Sequence, residues 1–163
     1  MLIKTKPPRI ILAIDPGYDR CGWAVGTVSK RNLNQLHYGL ISTNKRNHIT
    51  ARLKQINDQI LELIEIYHPA ELAMESLVVG RNAPTIVKVA EVRGILQALA
   101  FRYSMQIAEY NPGTIKVAVT GHGKATKANM TKMVRLQLKL DDKPIIDDTI
   151  DALGVLLCHA VST

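Results

Sequence analysis

The stretch Arg9-Ile10-Ile11-Leu12-Ala13-Ile14-Asp15-Pro16-Gly17 decides the fold. Its apolar run is short and unbroken, which reads as a buried strand. Asp15-Pro16-Gly17 then stops it with turn-forming residues. Beyond the turn, Cys21 to Ser29 and Leu33 to Thr43 are two further strand candidates, joined by the polar Lys30-Arg31-Asn32 in the manner of a hairpin. Ile49 to Tyr67 has helical periodicity: Ile49, Leu53, Ile56, Ile60, Leu63, Ile64 and Tyr67 advance by threes and fours, and Pro69 stops the helix. Glu71 to Met74 is a short strand ending at Glu75, followed by a loop from Val78 to Pro84.

Thr85 to Tyr103 reads as a second helix, with Ile86, Val87, Val89, Val92, Ile95, Leu96 and Leu99 wrapping most of its circumference. Apolar residues nearly all round imply burial on more than one side. In so small a protein that predicts a subunit interface. Met105 to Glu109 is a last strand, and Pro112 opens a short helix to about Thr120. Gly121-His122-Gly123 is a flexible joint, Ala125 to Leu138 a basic helix, and Asp147 or Asp148 starts a final helix to about Val161. Three strands in hairpin succession, then alternating helices and strands, predict an α/β fold with a mixed sheet and helices on its faces.

Composition bounds the function. The chain has 163 residues, which predicts one domain over 1–163 with Met1 to Pro8 as a loose leader. Its hydrophobic content of 47% is too high for a disordered basic tail. Two cysteines, Cys21 and Cys158, exclude a disulfide scaffold and fit a reducing cytosol as small buried apolar residues. No apolar run is long enough to span a membrane, and the first one ends at Asp15 before it could serve as a signal peptide. The expectation is a soluble cytoplasmic domain. A formal charge of +7 favours a polyanion partner, nucleic acid first.

Acidic residues mark three places. Asp15 ends the first strand, Glu75 follows the short strand Glu71 to Met74, and Asp148 and Asp151 lie in the first turn of the last helix. Strand ends at the rim of an open α/β sheet are where ligands bind. Residues three apart share a helix face, but Asp147 lies four from Asp151, so spacing alone does not separate Asp147 from Asp148. Converging carboxylates repel unless a cation holds them, and hard oxygen donors call for Mg²⁺ or Mn²⁺. Two such ions would clamp the attacking and leaving oxygens of a phosphodiester. The bland reading is a turn aspartate, a loop acid and helix-capping aspartates.

Lys116, Lys124, Lys127, Lys132, Arg135 and Lys139 follow one another with no intervening acid, a plausible phosphate-binding surface. The alternative is a solvated helix face. His159 lies too far along the last helix from Asp148 to share a metal and reads as structural or surface.

These residues resemble a known family. Ile14-Asp15-Pro16-Gly17 with Gly22 is similar to the opening motif of the RuvC Holliday-junction resolvases. So are Ala73-Met74-Glu75 with a loop containing Asn82, Glu109-Tyr110 leading to Lys116 and Gly121-x-Gly123, and the close Asp148-Thr-Ile-Asp151-Ala-Leu. The match runs in order from about residue 9 to 161.

The resemblance implies an RNase H-like fold, with a mixed five-stranded sheet flanked by helices, and a homodimer built on the helix Thr85 to Tyr103. It implies cleavage of four-way DNA junctions by paired symmetric nicks with two Mg²⁺ per subunit, Mn²⁺ substituting. The metal-binding catalytic carboxylates would be Asp15, Glu75, Asp148 and Asp151, the family pattern selecting Asp148 over Asp147. Lys116 and Lys127 would lie near the scissile phosphate, with Lys124, Arg81 and Asn82 as further DNA contacts. Members often carry an aromatic residue three positions after the glutamate to open the junction. Here that position is Val78, so Leu77 or Val78 would wedge between bases as an aliphatic side chain. A RuvA/RuvB-type branch-migration complex is the implied partner. The alternatives are a non-cleaving branched-DNA-binding protein and an RNA-directed nuclease of the same fold.

Overall fold

Ile11 to Ile14 are fully buried, and alternate residues serve opposite sides: Ile11 and Ala13 join one hydrophobic cluster, Leu12 and Ile14 the other. A strand with core on both faces needs a continuous apolar run instead of an alternating one. This strand, β1 (Arg9–Asp15), is the middle of a five-stranded sheet of order β3-β2-β1-β4-β5. The structure, a computed structural model, describes residues 7–29, 32–77 and 83–162. Residues 1–6 of the expected leader and Lys30 and Arg31 of the expected turn lie outside the described residues.

β2 (Arg20–Ser29) and β3 (Asn32–Ser42) run antiparallel to their neighbours, whereas β4 (Glu71–Glu75) is parallel to β1 and β5 (Gln106–Tyr110) to β4. The mixed α/β sheet is the one expected. A bulge lets Gly26 pair with Leu36 and Thr27 with Asn34, leaving Gln35 as the extra residue at a positive φ of 47°.

Five helices cover the two faces. α1 (Ile49–Tyr67) and α2 (Ala83–Arg102) pack on one side, through Ile56, Ile60, Val92 and Leu96. α3 (Pro112–Thr120), α4 (Lys127–Leu138) and α5 (Asp147–Ser162) pack on the other, through Ile115, Val134 and Leu153. α4 starts at Lys127, two residues later than expected, because the Thr126 side chain caps it by accepting from the Asn129 N–H. Asp15 and Glu75 fall inside their strands as last residues, since pairing with Gly22 and Tyr110 carries the ladders that far. α2 has one buried face, while Val87, Ala90, Gly94, Ala98 and Phe101 on the other are exposed, Phe101 at 76%. Cys21 and Cys158 are buried free thiols.

Two buried polar arrangements brace this frame. Arg52 sits on the apolar face of α1 and donates to Thr43 Oγ1 at 2.9 Å and to the Tyr18 carbonyl at 3.0 Å, and it also pairs with Asp19. It therefore ties the turn after β1 to the end of β3. At the opposite end of the sheet, Glu71 accepts from Arg9 Nη1 at 3.0 and 3.1 Å and lies 2.5 Å from His159 Nε2. The other ring nitrogen of His159 lies 2.7 Å from the Tyr110 hydroxyl. His159 is thus structural. This chain of contacts links β1, β4, β5 and α5. Glu71→Ala removes the carboxylate at its centre and is expected to cost about 3–5 kcal/mol. A fall in the guanidinium midpoint at constant m-value checks this; a loss below about 1 kcal/mol would make the network incidental.

Candidate active site

β1 and β4 lie side by side and parallel, in register at Ile14 and Met74, so the residues that end them, Asp15 and Glu75, are neighbours at one rim. α5 brings its acidic first turn to the same rim. Gly22 makes that approach possible. It pairs with Asp15 across the β1–β2 ladder, and a Cβ there would lie 1.9 Å from the Asp148 carbonyl oxygen. Any side chain would push the helix start away. Thr149 Oγ1 fixes the same turn by donating to the Gly39 carbonyl at 3.1 Å. Gly17 closes the turn after Asp15, where a Cβ would lie 2.0 Å from the Arg20 carbonyl.

The carboxylates act on one another's charge. Burial and the negative charges of Asp151, Glu75 and Asp148 push the Asp15 carboxyl up to about 7. Glu75 is raised by burial and by Asp151, against Lys116 and Arg93. Asp151 is raised by burial despite its contact with Lys127. Asp148 and Asp147, inseparable by spacing, part here. Asp148 acts on Asp15, with its side chain 21% exposed, whereas Asp147 is 64% exposed and pairs outward with Lys127 at 3.2 Å.

Among the described residues, no three acidic, histidine or cysteine side chains already surround a single metal position. Cations engage the two α5 carboxylates instead. Lys127 Nζ lies 3.5 Å from Asp151 Oδ2, and Arg20 Nε lies 3.0 Å from Asp148 Oδ2. The Arg20 contact is an ion pair without hydrogen-bond geometry, so this buried oxygen accepts no hydrogen bond. A buried oxygen without a donor, four mutually repelling carboxylates and an all-oxygen donor set fit a hard divalent cation.

Around the carboxylates lie three hollows. One of about 170 Å³ is lined by Glu75, Asp151, Lys116 and Lys127. A second of about 210 Å³ is lined by Asp15, Glu75, Leu77, Val89 and Arg93, so Leu77 borders the site. A third of about 620 Å³ holds Asp148, Arg20, Lys45 and Val89. Lys124 is not brought to the carboxylates: it lines a separate basic hollow of about 490 Å³ with His122, Asn129 and Lys132. Val78, Arg81 and Asn82 lie outside the described residues.

Arg20 and Arg93 are two side chains at the site that the sequence reading did not single out. Arg93 did carry a signal. It lies four residues after Val89 and three before Leu96, on the face of α2 that packs inward, where an arginine must find partners.

The family model for crossover junction endodeoxyribonuclease RuvC matches residues 11–159. This chain belongs to the RuvC family. The RuvC crossover junction endodeoxyribonuclease of Petrotoga mobilis is 40% identical over 150 residues, covering 92% of either chain. Thermus thermophilus RuvC, solved in complex with a Holliday junction substrate, superposes with a TM-score of 0.85 at 28% identity, over 93% of both chains. The yeast mitochondrial Holliday junction resolvase Ydc2 shares the fold, at a TM-score of 0.64 and 13% identity, over 97% of this chain and 79% of that one. The fold is RNase H-like, as the resemblance implied.

A cluster of carboxylates built this way in a RuvC-family chain stores repulsion, which metal-free folding must carry. Asp15 has a carboxyl near 3.8 when unfolded and about 7 when folded, so folding favours its protonated form. The contribution is complete below pH 4 and is lost as the pH rises to about 7. Asp15→Asn, which mimics the protonated state, should melt roughly 5–10 °C above wild type at pH 8 in EDTA. The gap should close towards pH 4, and Mg²⁺ should raise the melting temperature of wild type alone. A pH-independent gap in differential scanning calorimetry would contradict this account.

Proposed function

We infer that this chain is a metal-dependent endonuclease that resolves four-way DNA junctions by paired symmetric nicks. The observation that carries the reading is the assembly of Asp15, Glu75, Asp148 and Asp151 at one rim of a RuvC-family fold. In this reading those four carboxylates hold Mg²⁺, two ions per subunit, with Mn²⁺ as a substitute. Bound there, the ions supply Lewis-acid charge to the attacking and leaving oxygens of the phosphodiester.

The chain's own groups do the rest. Asp15 and Glu75, fixed by strand pairing, present ionised oxygens from the sheet, and Asp148 and Asp151 present theirs from one face of α5. Lys116 and Lys127 line the hollow beside Glu75 and Asp151, where their ammonium groups can take a phosphate oxygen and steady its growing charge. Lys124 and Lys132 offer a second basic surface to the DNA backbone, outside the carboxylate hollow. Leu77, beside the site, and Val78 serve as an aliphatic wedge at the junction core, with Arg81 and Asn82 as further DNA contacts.

The exposed face of α2 suits a second copy of the chain. Ala90, Gly94 and Ala98 are small enough for close helix approach, and Val87 and Phe101 flank them as exposed apolar groups. A two-fold dimer would offer two sites to strands of like polarity. The whole chain acts as one nuclease domain in this reading. Among the described residues, no helix is long and apolar enough to cross a membrane. The reading extends to the cytoplasm as compartment and to a RuvA/RuvB-type branch-migration complex as partner.

A labelled synthetic four-way junction beside linear duplex tests the activity. With Mg²⁺ or Mn²⁺, ligatable symmetric nicks should form on the junction only, and EDTA should abolish them. Asp15→Asn should cut at least about 10²-fold more slowly while still binding the junction. Junction binding without nicks would favour the non-cleaving protein, and preferential cutting of RNA the RNA-directed one. Sedimentation at micromolar concentration should give the mass of two chains, and Gly94→Glu should give one; a monomeric wild type would remove α2 as an interface.

A further inference from the structure

Arg93 is 7% exposed, on the inward face of α2 where the helix passes the end of β4. Its guanidinium divides between two partners. Nη1 donates to the main-chain carbonyl of Glu75, and Nη2 lies 2.7 Å from Glu109 Oε1. Gln97 Nε2, one turn further along α2, donates to the same Glu109 oxygen at 3.4 Å. Glu109 belongs to β5, opposite Met74 of β4.

The Glu75 carbonyl is the last of its strand, at a partly buried position, and takes its donor from Arg93. On the next peptide, the Ser76 N–H donates to the Tyr110 carbonyl at 2.8 Å. The main chain at Glu75 is thus anchored from β5 on one side and from α2 on the other. Arg93 also lines the same hollow as Asp15 and Glu75, and its charge favours the ionised form of Glu75. A buried arginine is costly to keep where an apolar side chain would pack. Only its planar fork can reach a carbonyl and a carboxylate together; a lysine has a single point charge to offer.

We propose that Arg93 is a positioning residue: it fixes the Glu75 main chain so that this carboxylate is held beside Asp15 for divalent-cation binding. The proposal rests on the nuclease reading above. It places the requirement in the shape of the guanidinium and its two contacts, with positive charge alone insufficient.

The test compares wild type, Arg93→Lys, Arg93→Gln and Glu109→Gln. Junction affinity in EDTA should be the same for all four. Both Arg93 variants should lower kcat on saturating junction by about 10- to 100-fold. Mn²⁺ titrated calorimetrically into each protein without DNA should bind about tenfold more weakly to the Arg93 variants. Glu109→Gln, at an exposed position, keeps the fold and should show the same weakening to a smaller degree. Arg93→Lys with wild-type Mn²⁺ affinity and kcat would overturn the proposal. So would an unchanged Mn²⁺ isotherm in Glu109→Gln, should the Arg93 variants fail to fold. A wild type that binds Mn²⁺ but never nicks the junction would instead sink the nuclease reading, with the Mn²⁺ isotherms still judging Arg93.

Discussion

A hydrogen atom at Gly22 in place of a methyl group lets the two halves of the site meet. Asp15 and Glu75 come from adjacent parallel strands, and strand pairing alone sets their separation. Asp148 and Asp151 come from a helix more than 130 residues further on than Asp15 in a chain of 163. That helix reaches the sheet rim only because its first turn settles onto β2, with the Asp148 carbonyl over Gly22 and Thr149 bonded to Gly39. Everything else in α5 follows from that seat. Its remaining length is almost wholly buried, and its far end brings His159 to Glu71. The hydrophobic core thus delivers the acidic turn, and the glycine decides how close it comes.

Closeness has an electrostatic cost, and the surrounding cations are disposed to answer it. Three of the four acidic groups at the rim are met by cations from other elements. Arg20 of β2 faces Asp148, Lys127 of α4 faces Asp151, and Lys116 of α3 and Arg93 of α2 act on Glu75. Asp15, in the middle, makes no ion pair among the described residues, and burial with the neighbouring negative charges pushes its carboxyl up to about 7. The balance is local as well as global. A chain of net charge +7 gathers four carboxylates at one rim and sets lysines and arginines beside them, so a polyanion is drawn towards the place where divalent cations would be held.

The fold was legible because its central strand is unusual. Five consecutive apolar residues from Ile10 to Ile14, cut off by Asp-Pro-Gly, admit little besides a strand with core on both sides. Asp15 and Glu75 were legible for the same reason, as polar ends of apolar strands. Asp148 was half legible: spacing left it level with Asp147, the family pattern favoured it, and its seat beside Gly22 and lower exposure set it apart from Asp147 in the structure. The arginines were illegible as to purpose. Arg52 and Arg93 both interrupt apolar helix faces, and their partners lie on other elements that no local pattern points to. Lys124 lies close to Lys127 in sequence, yet the two line different hollows around the start of α4, a separation that no local pattern shows.

α2 shows why a helix can carry much information and yet have a poor amphipathic pattern. A surface helix serving one core shows a single apolar stripe. α2 presents Val92, Leu96 and Leu99 to the sheet, Arg93 to the end of β4, and Ala90, Gly94 and Ala98 to solvent in the single chain. The inward stripe is ordinary packing. The outward one is too small-sided and too apolar to be a plain solvated face, which is why the proposed dimer uses it. Arg93 lies between them, so displacement of the helix along either face acts on the carbonyl of Glu75. A helix packed only against its own sheet could rock by the slack in that packing; one also clamped from outside could not. In a junction nuclease the two requirements, a fixed Glu75 and a paired subunit, would then be met by the same rigid element.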